Sequence, residues 1–207
     1  MLREIVLDTE TTGLYVHEGH RVTEVAAIEL IDGTPSGKSF HSYLNPERDV
    51  PEKVLNGSGE WVKHPSGLTN ELLSDKPLFA AIARELKDFI GNSSIVITCR
   101  TNPDGYTLDV AFLNMEMENA GLPPFRDDQW INVRRWSEIM FGDSRASLDT
   151  VLDHYKVDRS ERDRHGHGAL LDAQLLAEAY PKLLNDYMRF AKKKVPNLNS
   201  KISPPTP

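Results

Sequence analysis

Asp8 and Glu10 stand two residues apart in the run Asp8-Thr9-Glu10-Thr11-Thr12-Gly13, directly after the β-prone stretch Arg3-Glu4-Ile5-Val6-Leu7. In an extended chain alternate residues point to the same side, so both carboxylates face one way. Two like charges side by side repel, and a divalent cation is the usual remedy. Taken alone, such a pair is more often a solvated loop than a site, because 27% of the chain is charged. Gly13 permits a sharp exit that brings backbone close to a ligand. Far along the chain, His167 precedes Asp172 by five residues where an apolar, helix-prone string begins. Five helical steps turn the chain by about 140°, so two such side chains cannot reach one site from within one helix. His167 must then sit on the loop before the helix and reach back, while Asp172 projects from the first turns. The plainer alternative is a polar loop histidine and a first-turn acid favoured by the helix dipole.

The elements that would hold these residues can be read from periodicity. Three strands come first: Arg3 to Leu7, Arg21 to Ile31 closed by Asp32-Gly33, and Phe40 to Leu44 ending at Asn45-Pro46. Close spacing and turn dipeptides favour an antiparallel meander. Residues 51–76 read as an irregular surface excursion with room for helical turns. Pro77 opens a helix to Ile90, with Phe79, Ile82, Ala83, Leu86 and Ile90 at helical spacing and Gly91-Asn92 as the stop. Ser94 to Thr98 is a short apolar strand without alternation, as expected of one buried on both faces. Asp109 to Ala120 gives another helix and Trp130 to Val133 a last strand. Helical patterns follow at Arg134 to Phe141, Ser147 to Tyr155 and Gly168 to Phe190, the last kinked or restarted at Pro181. This order describes a mixed α/β sheet covered by helices. It predicts one domain over residues 1–190 and a disordered basic, Pro-rich tail over 191–207.

Composition narrows the function classes. The chain has 207 residues, a formal charge of -7 and one cysteine, Cys99. One cysteine excludes an internal disulfide framework and a zinc site built on several thiolates, and it fits a reducing compartment such as the cytoplasm. No apolar run approaches the roughly 20 residues needed to cross a bilayer. The acids in MLREIVLDTE come too early for a secretory signal. A sequence pI near 5.5 argues against coating nucleic acid through bulk positive charge. It does not argue against cleaving it, if the acids form a metal site.

The run from Asp8 to Leu14 behind a central strand resembles the first motif of the DEDDh family of 3′–5′ exonucleases, nearest in pattern to its epsilon proofreading branch. The likeness covers most of residues 2–180. Arg21-Val22-Thr23-Glu24 resembles the family's second strand, Tyr43 to Arg48 its third, and Gly67-Leu68-Thr69 the stretch before its first long helix. His167-Gly168-Ala169-Leu170-Leu171-Asp172 is similar to the third motif, whereas His165 lacks its spacing to Asp172. In the second motif Asp109-x-x-Phe112-Leu113-Asn114 matches. The usual upstream His-Asn pair is missing and the loop is longer. Asp104 competes with Asp109, but Asp104-Gly105 reads as a turn. An aspartate that the family carries near its last strand is replaced by Asn132.

The resemblance implies a ribonuclease H-like exonuclease fold, a mixed five-stranded sheet with three antiparallel strands first. It implies Asp8, Glu10, Asp109 and Asp172 as metal ligands. Hard oxygen donors suit Mg²⁺ or Mn²⁺. Two ions about 4 Å apart would activate a water and stabilise the leaving 3′ oxygen. His167 is then the general base, a task suited to a pKa near neutrality. Thr11, Leu14 and His64 become substrate contacts, though Leu14 reads equally as core and His64 as a solvent-exposed loop histidine. The implied partners are single-stranded DNA 3′ ends, with RNA as an option, and the alpha subunit of DNA polymerase III. The product would be a nucleoside 5′-monophosphate. Arg126, Arg134, Arg135, Arg145, Arg159, Arg162, Arg164 and Lys192 to Lys194 are available for phosphates, although several alternate with acids as on a solvated face. Two other readings stand beside proofreading: a free-standing DNA or RNA exonuclease, and a nucleic-acid-binding protein with weakened catalysis.

Overall fold

The computed structural model describes residues 1–55, 60–98, 107–143 and 146–194. Strand β1 (Arg3–Thr11) lies at the centre of a five-stranded sheet. It pairs antiparallel with β2 (Val22–Ile31), which pairs antiparallel with β3 (Thr34–Tyr43). The expected meander is therefore present. Residues Lys53–Leu55 (β4) and Trp61–Lys63 (β5) form a separate small hairpin. A short helix α1 (Asn70–Leu73) precedes α2 (Phe79–Ile90). Strand β6 (Ser94–Ile97) then lies parallel on the other side of β1. Helix α3 (Leu108–Asn119) crosses to β7 (Trp130–Asn132), parallel to β6, which gives the sheet order β3-β2-β1-β6-β7. Four helices complete the described chain: α4 (Val133–Phe141), α5 (Leu148–Tyr155), α6 (Ser160–His165) and α7 (Ala169–Lys194).

Alternation along β1 divides the core. Ile5 and Leu7 point to one face, where they pack with α2 and α3 through Phe79, Leu86, Phe112 and Leu113. Val6 points to the other, where α4, α5 and α7 contribute Val133, Val151, Ala173 and Leu176. Period two therefore puts Glu4, Asp8 and Glu10 on the α7 side. Helix α7 answers with Ala169, Ala173, Leu176, Tyr180 and Leu183, a buried stripe at helical spacing.

Several expected boundaries moved. Strand β1 runs on through Asp8 and Glu10 to Thr11, because pairing with β2 continues to a register shift at Glu10/Thr11. Strand β3 begins at Thr34 rather than Phe40. Its first half, Thr34 to Ser39, is polar and exposed. As an edge strand it pairs on one side and tolerates Pro35. The irregular stretch after residue 51 contains the β4–β5 hairpin. Helix α6 carries too little apolar pattern to announce itself. Pro181 lies within α7 without ending it, since Ala177, Ala179, Tyr180 and Leu183 are all buried around it. The helix continues to Lys194, and residues 195–207 lie outside the described residues, as do Cys99, Asp104 and Arg145. Among the described residues, no helix is long and apolar enough to cross a membrane.

Candidate active site

The four acidic groups reach the site from three elements. Asp8 and Glu10 project from the end of β1 toward α7. Thr9, on the opposite face, donates its hydroxyl to Asp109 Oδ1 at 2.5 Å and so holds the first turn of α3 over the strand. Asp109 is buried there, and Asp172 is buried in the first turn of α7. His167 occupies the loop between α6 and α7, as its spacing to Asp172 requires, and its side chain is 46% exposed. Its Nδ1 lies 3.8 Å from Asp172 Oδ2.

Hydrogen bonds across elements fix these positions. Glu24 of β2, opposite Glu10 in register, accepts from the backbone N–H of Ala169 at 3.0 Å and Leu170 at 3.3 Å. A carboxylate from the sheet thus satisfies the start of α7, where donors lack partners within the helix. The backbone N–H of His167 donates to the Pro65 carbonyl at 3.1 Å. Gly166 makes that approach possible: its φ is +86°, and a Cβ there would lie 2.8 Å from the same carbonyl oxygen. His64 is buried, not an exposed loop residue. Its Nε2 donates to the Thr11 carbonyl at 3.0 Å, and its Nδ1 accepts from Ser66 Oγ at 2.9 Å. Both ring nitrogens are therefore engaged within the protein. Gly13 is needed for a steric reason the sequence did not show, since a Cβ would come within 2.4 Å of the His20 ring.

All the expected residues, Asp8, Glu10, Thr11, Leu14, His64, Asp109, His167 and Asp172, line one open cavity of about 420 Å³. Ligating atoms of Glu10, His167 and Asp172 fall within 4.8 Å of one another. Burial pushes the Asp8 carboxyl well above the usual range, and the negative charges of Asp109, Asp172 and Glu10 add to it. Glu10 is likewise pushed well up by burial, then by Asp172, Glu24 and Asp109. Burial also raises Asp172, opposed by a hydrogen bond from Arg162. The His167 imidazole is lowered by burial and by the neighbouring Arg162 charge, against the pull of Asp172 and Asp149. Acids that repel one another in a partly dry cleft, with oxygen donors and one imidazole in reach, are a donor set that fits a hard divalent cation.

The basic residues sort themselves. Arg126 and Arg164 are exposed and paired with Asp128 and Glu161, as solvated faces predict, and Arg135 is exposed beside Glu138. His165 is 71% exposed and outside the cavity. Arg134 and Arg162, in contrast, line the cavity. Arg162 is the residue that sequence reasoning undervalued. It stands in the strongly charged string Arg159 to Arg164, which looks solvated, yet its side chain is only 7% exposed. Asn132, in place of an acid, accepts from the Arg134 N–H and caps α4.

Residues 5–180 match the Exonuclease family (RNase T). The chain is 39% identical over 185 residues to the DNA polymerase III subunit epsilon of Rickettsia felis, an alignment covering 88% of this chain and 74% of that protein. Its identity to the Escherichia coli K12 subunit epsilon is 35%, over 86% of this chain and 70% of the other. The fold is shared with the nuclease domain of 3′hExo, a DEDDh family member solved bound to rAMP. The TM-score there is 0.63 at 19% identity, covering 89% of this chain and 92% of that one. The chain belongs to the exonuclease family, as a DEDDh 3′–5′ exonuclease of the proofreading type.

Proposed function

We propose that the protein trims single-stranded DNA from its 3′ end, releases nucleoside 5′-monophosphates, and does so beside the alpha subunit of a DNA polymerase III in the bacterial cytoplasm. The observation that carries this reading is the convergence of four carboxylates and His167 in one open cavity. Asp8, Glu10, Asp109 and Asp172 would hold a pair of Mg²⁺ or Mn²⁺ ions. When bound, such ions supply positive charge to the scissile phosphate and the leaving oxygen and make water more acidic. His167 supplies the general base. Its lowered pKa keeps the ring neutral near pH 7, and its exposure lets it take a proton from the attacking water. The water oxygen bonds to phosphorus as His167 takes its proton, the bond from phosphorus to the 3′ oxygen breaks, and that oxygen stays on the shortened strand and takes a proton from solvent. Thr11 and Leu14 line the same cavity as the acids. His64 serves by holding the Thr11 carbonyl and shaping that cavity rather than by lending a free nitrogen. An RNA substrate is the second reading, supported by the structural neighbour solved with rAMP.

The test uses a 3′-labelled single strand, as DNA and as RNA, with Mg²⁺ or Mn²⁺. Wild type should release labelled mononucleotide. Asp8→Ala and His167→Ala should each be slower by about 100-fold or more. Release that persists in either variant sinks the site assignment, and no release from wild type sinks the enzyme reading.

A further inference from the structure

The guanidinium of Arg162 takes up both oxygens of Asp172. Its Nε donates to Oδ1 at 2.6 Å and its Nη2 to Oδ2 at 3.1 Å. The same Nη2 lies 3.1 Å from His167 Nδ1, and Nη1 hydrogen-bonds to Asp149 of α5. One buried cation is therefore clamped on the acid that clusters with His167 and Glu10. A divalent ion bound through that cluster needs the same oxygens. Two cations a few ångströms apart in a cleft of reduced dielectric repel strongly, so they compete for Asp172.

We propose that Arg162 is the built-in competitor of the metal, a residue whose guanidinium a divalent cation must displace from Asp172 and which thereby sets the cation affinity of the site. The proposal rests on the metal-site reading above. An exit for the displaced group is already present. Asp149 is 43% exposed and holds Arg162 through Oδ1, the same oxygen that lies 3.3 Å from Arg159 Nη1. On releasing Asp172 the guanidinium keeps its bond to Asp149, so its charge is not left unpaired. A planar fork fits a carboxylate on two oxygens, whereas an ammonium meets it as a point charge, so lysine is a weaker competitor.

Mn²⁺ binding to the full chain, read by electron paramagnetic resonance of free Mn²⁺, tests this without reference to turnover. Arg162→Gln should bind Mn²⁺ about tenfold more tightly than wild type, and Arg162→Lys by an intermediate factor. Melting in EDTA supplies the second measurement. Arg162→Gln should melt below wild type, because it leaves Asp172 unpaired, yet gain more on adding Mn²⁺. Affinity in Arg162→Gln equal to or weaker than wild type, with a native circular dichroism spectrum, overturns the proposal. If the glutamine variant does not fold, the lysine variant decides by the same criterion. Asp8→Ala locates the ion: loss of Mn²⁺ binding there ties it to the carboxylates. A wild-type chain that binds no Mn²⁺ would instead overturn the metal-site reading itself.

Discussion

Thr9 shows how much of the site depends on groups that do no chemistry. Its neighbours on β1 carry the acids, while its own hydroxyl faces the other way and holds Asp109 at 2.5 Å. Thr9→Val keeps shape and strand preference and removes only that bond. Partners that orient ligands typically matter 10- to 100-fold, so Mn²⁺ affinity and turnover should both fall by roughly that factor. Thermal stability should drop by about 1 kcal/mol. A variant with wild-type Mn²⁺ affinity would show that Asp109 is held by other contacts. Strand and helix periods placed Asp8, Glu10, His167 and Asp172 relative to one another, while the resemblance to the family's motifs singled them out as a site. Arg162 was not legible, because a charged string looks alike whether its arginine faces water or an acid ten residues away.

At the scale of elements, the sheet holds the helices through buried carboxylates. Glu116 of α3 accepts from Arg21 Nε at 2.7 Å and from the Val22 N–H at 3.2 Å, tying α3 to the start of β2. Glu24 does the same for α7, and His41 Nε2 lies 2.8 Å from its Oε1. Glu24→Ala should strand the N–H groups of Ala169 and Leu170 and loosen the turn that carries Asp172. The expected cost is about 2–3 kcal/mol by urea denaturation, with a fall in exonuclease rate larger than the rise in KM. An unchanged rate in a folded variant would detach Glu24 from the placement of Asp172. Pro181 belongs to this scale too. A proline interrupts an isolated helix, but burial of the stripe from Ala169 to Leu183 keeps α7 continuous.

Over the whole molecule, one buried acid joins the central strand to the covering helix far from the cleft. Glu4 accepts from the Tyr180 hydroxyl at 2.6 Å, and its second oxygen has no hydrogen-bond partner. Burial raises its pKa, only partly offset by that bond. The folded chain then binds a proton more tightly than the unfolded chain. Stability therefore falls as pH rises from the ordinary glutamate range through the raised value, and the cost is complete above it. Glu4→Gln keeps an acceptor for Tyr180 and removes the charge. It should be more stable than wild type by up to about 1 kcal/mol at pH 8. That difference should vanish as urea midpoints are followed down toward pH 4.5. A constant difference across this range would assign the effect to something other than the Glu4 proton.

Spacing in the chain put Asp8 and Glu10 on one side of an extended segment, His167 on a loop and Asp172 on the helix after it, although the strand was expected to end at Leu7 and runs to Thr11. These follow from local periodicity, and the family pattern added Asp109. The net charge of -7 looked opposed to nucleic acid until several of those acids were placed in one cavity. Long-range packing turns Arg162 inward, engages both His64 nitrogens within the protein, and sets Gly13 and Gly166 at close approaches. Those outcomes depend on which distant segments meet, and one chain's local pattern carries no record of the atoms that will stand opposite it.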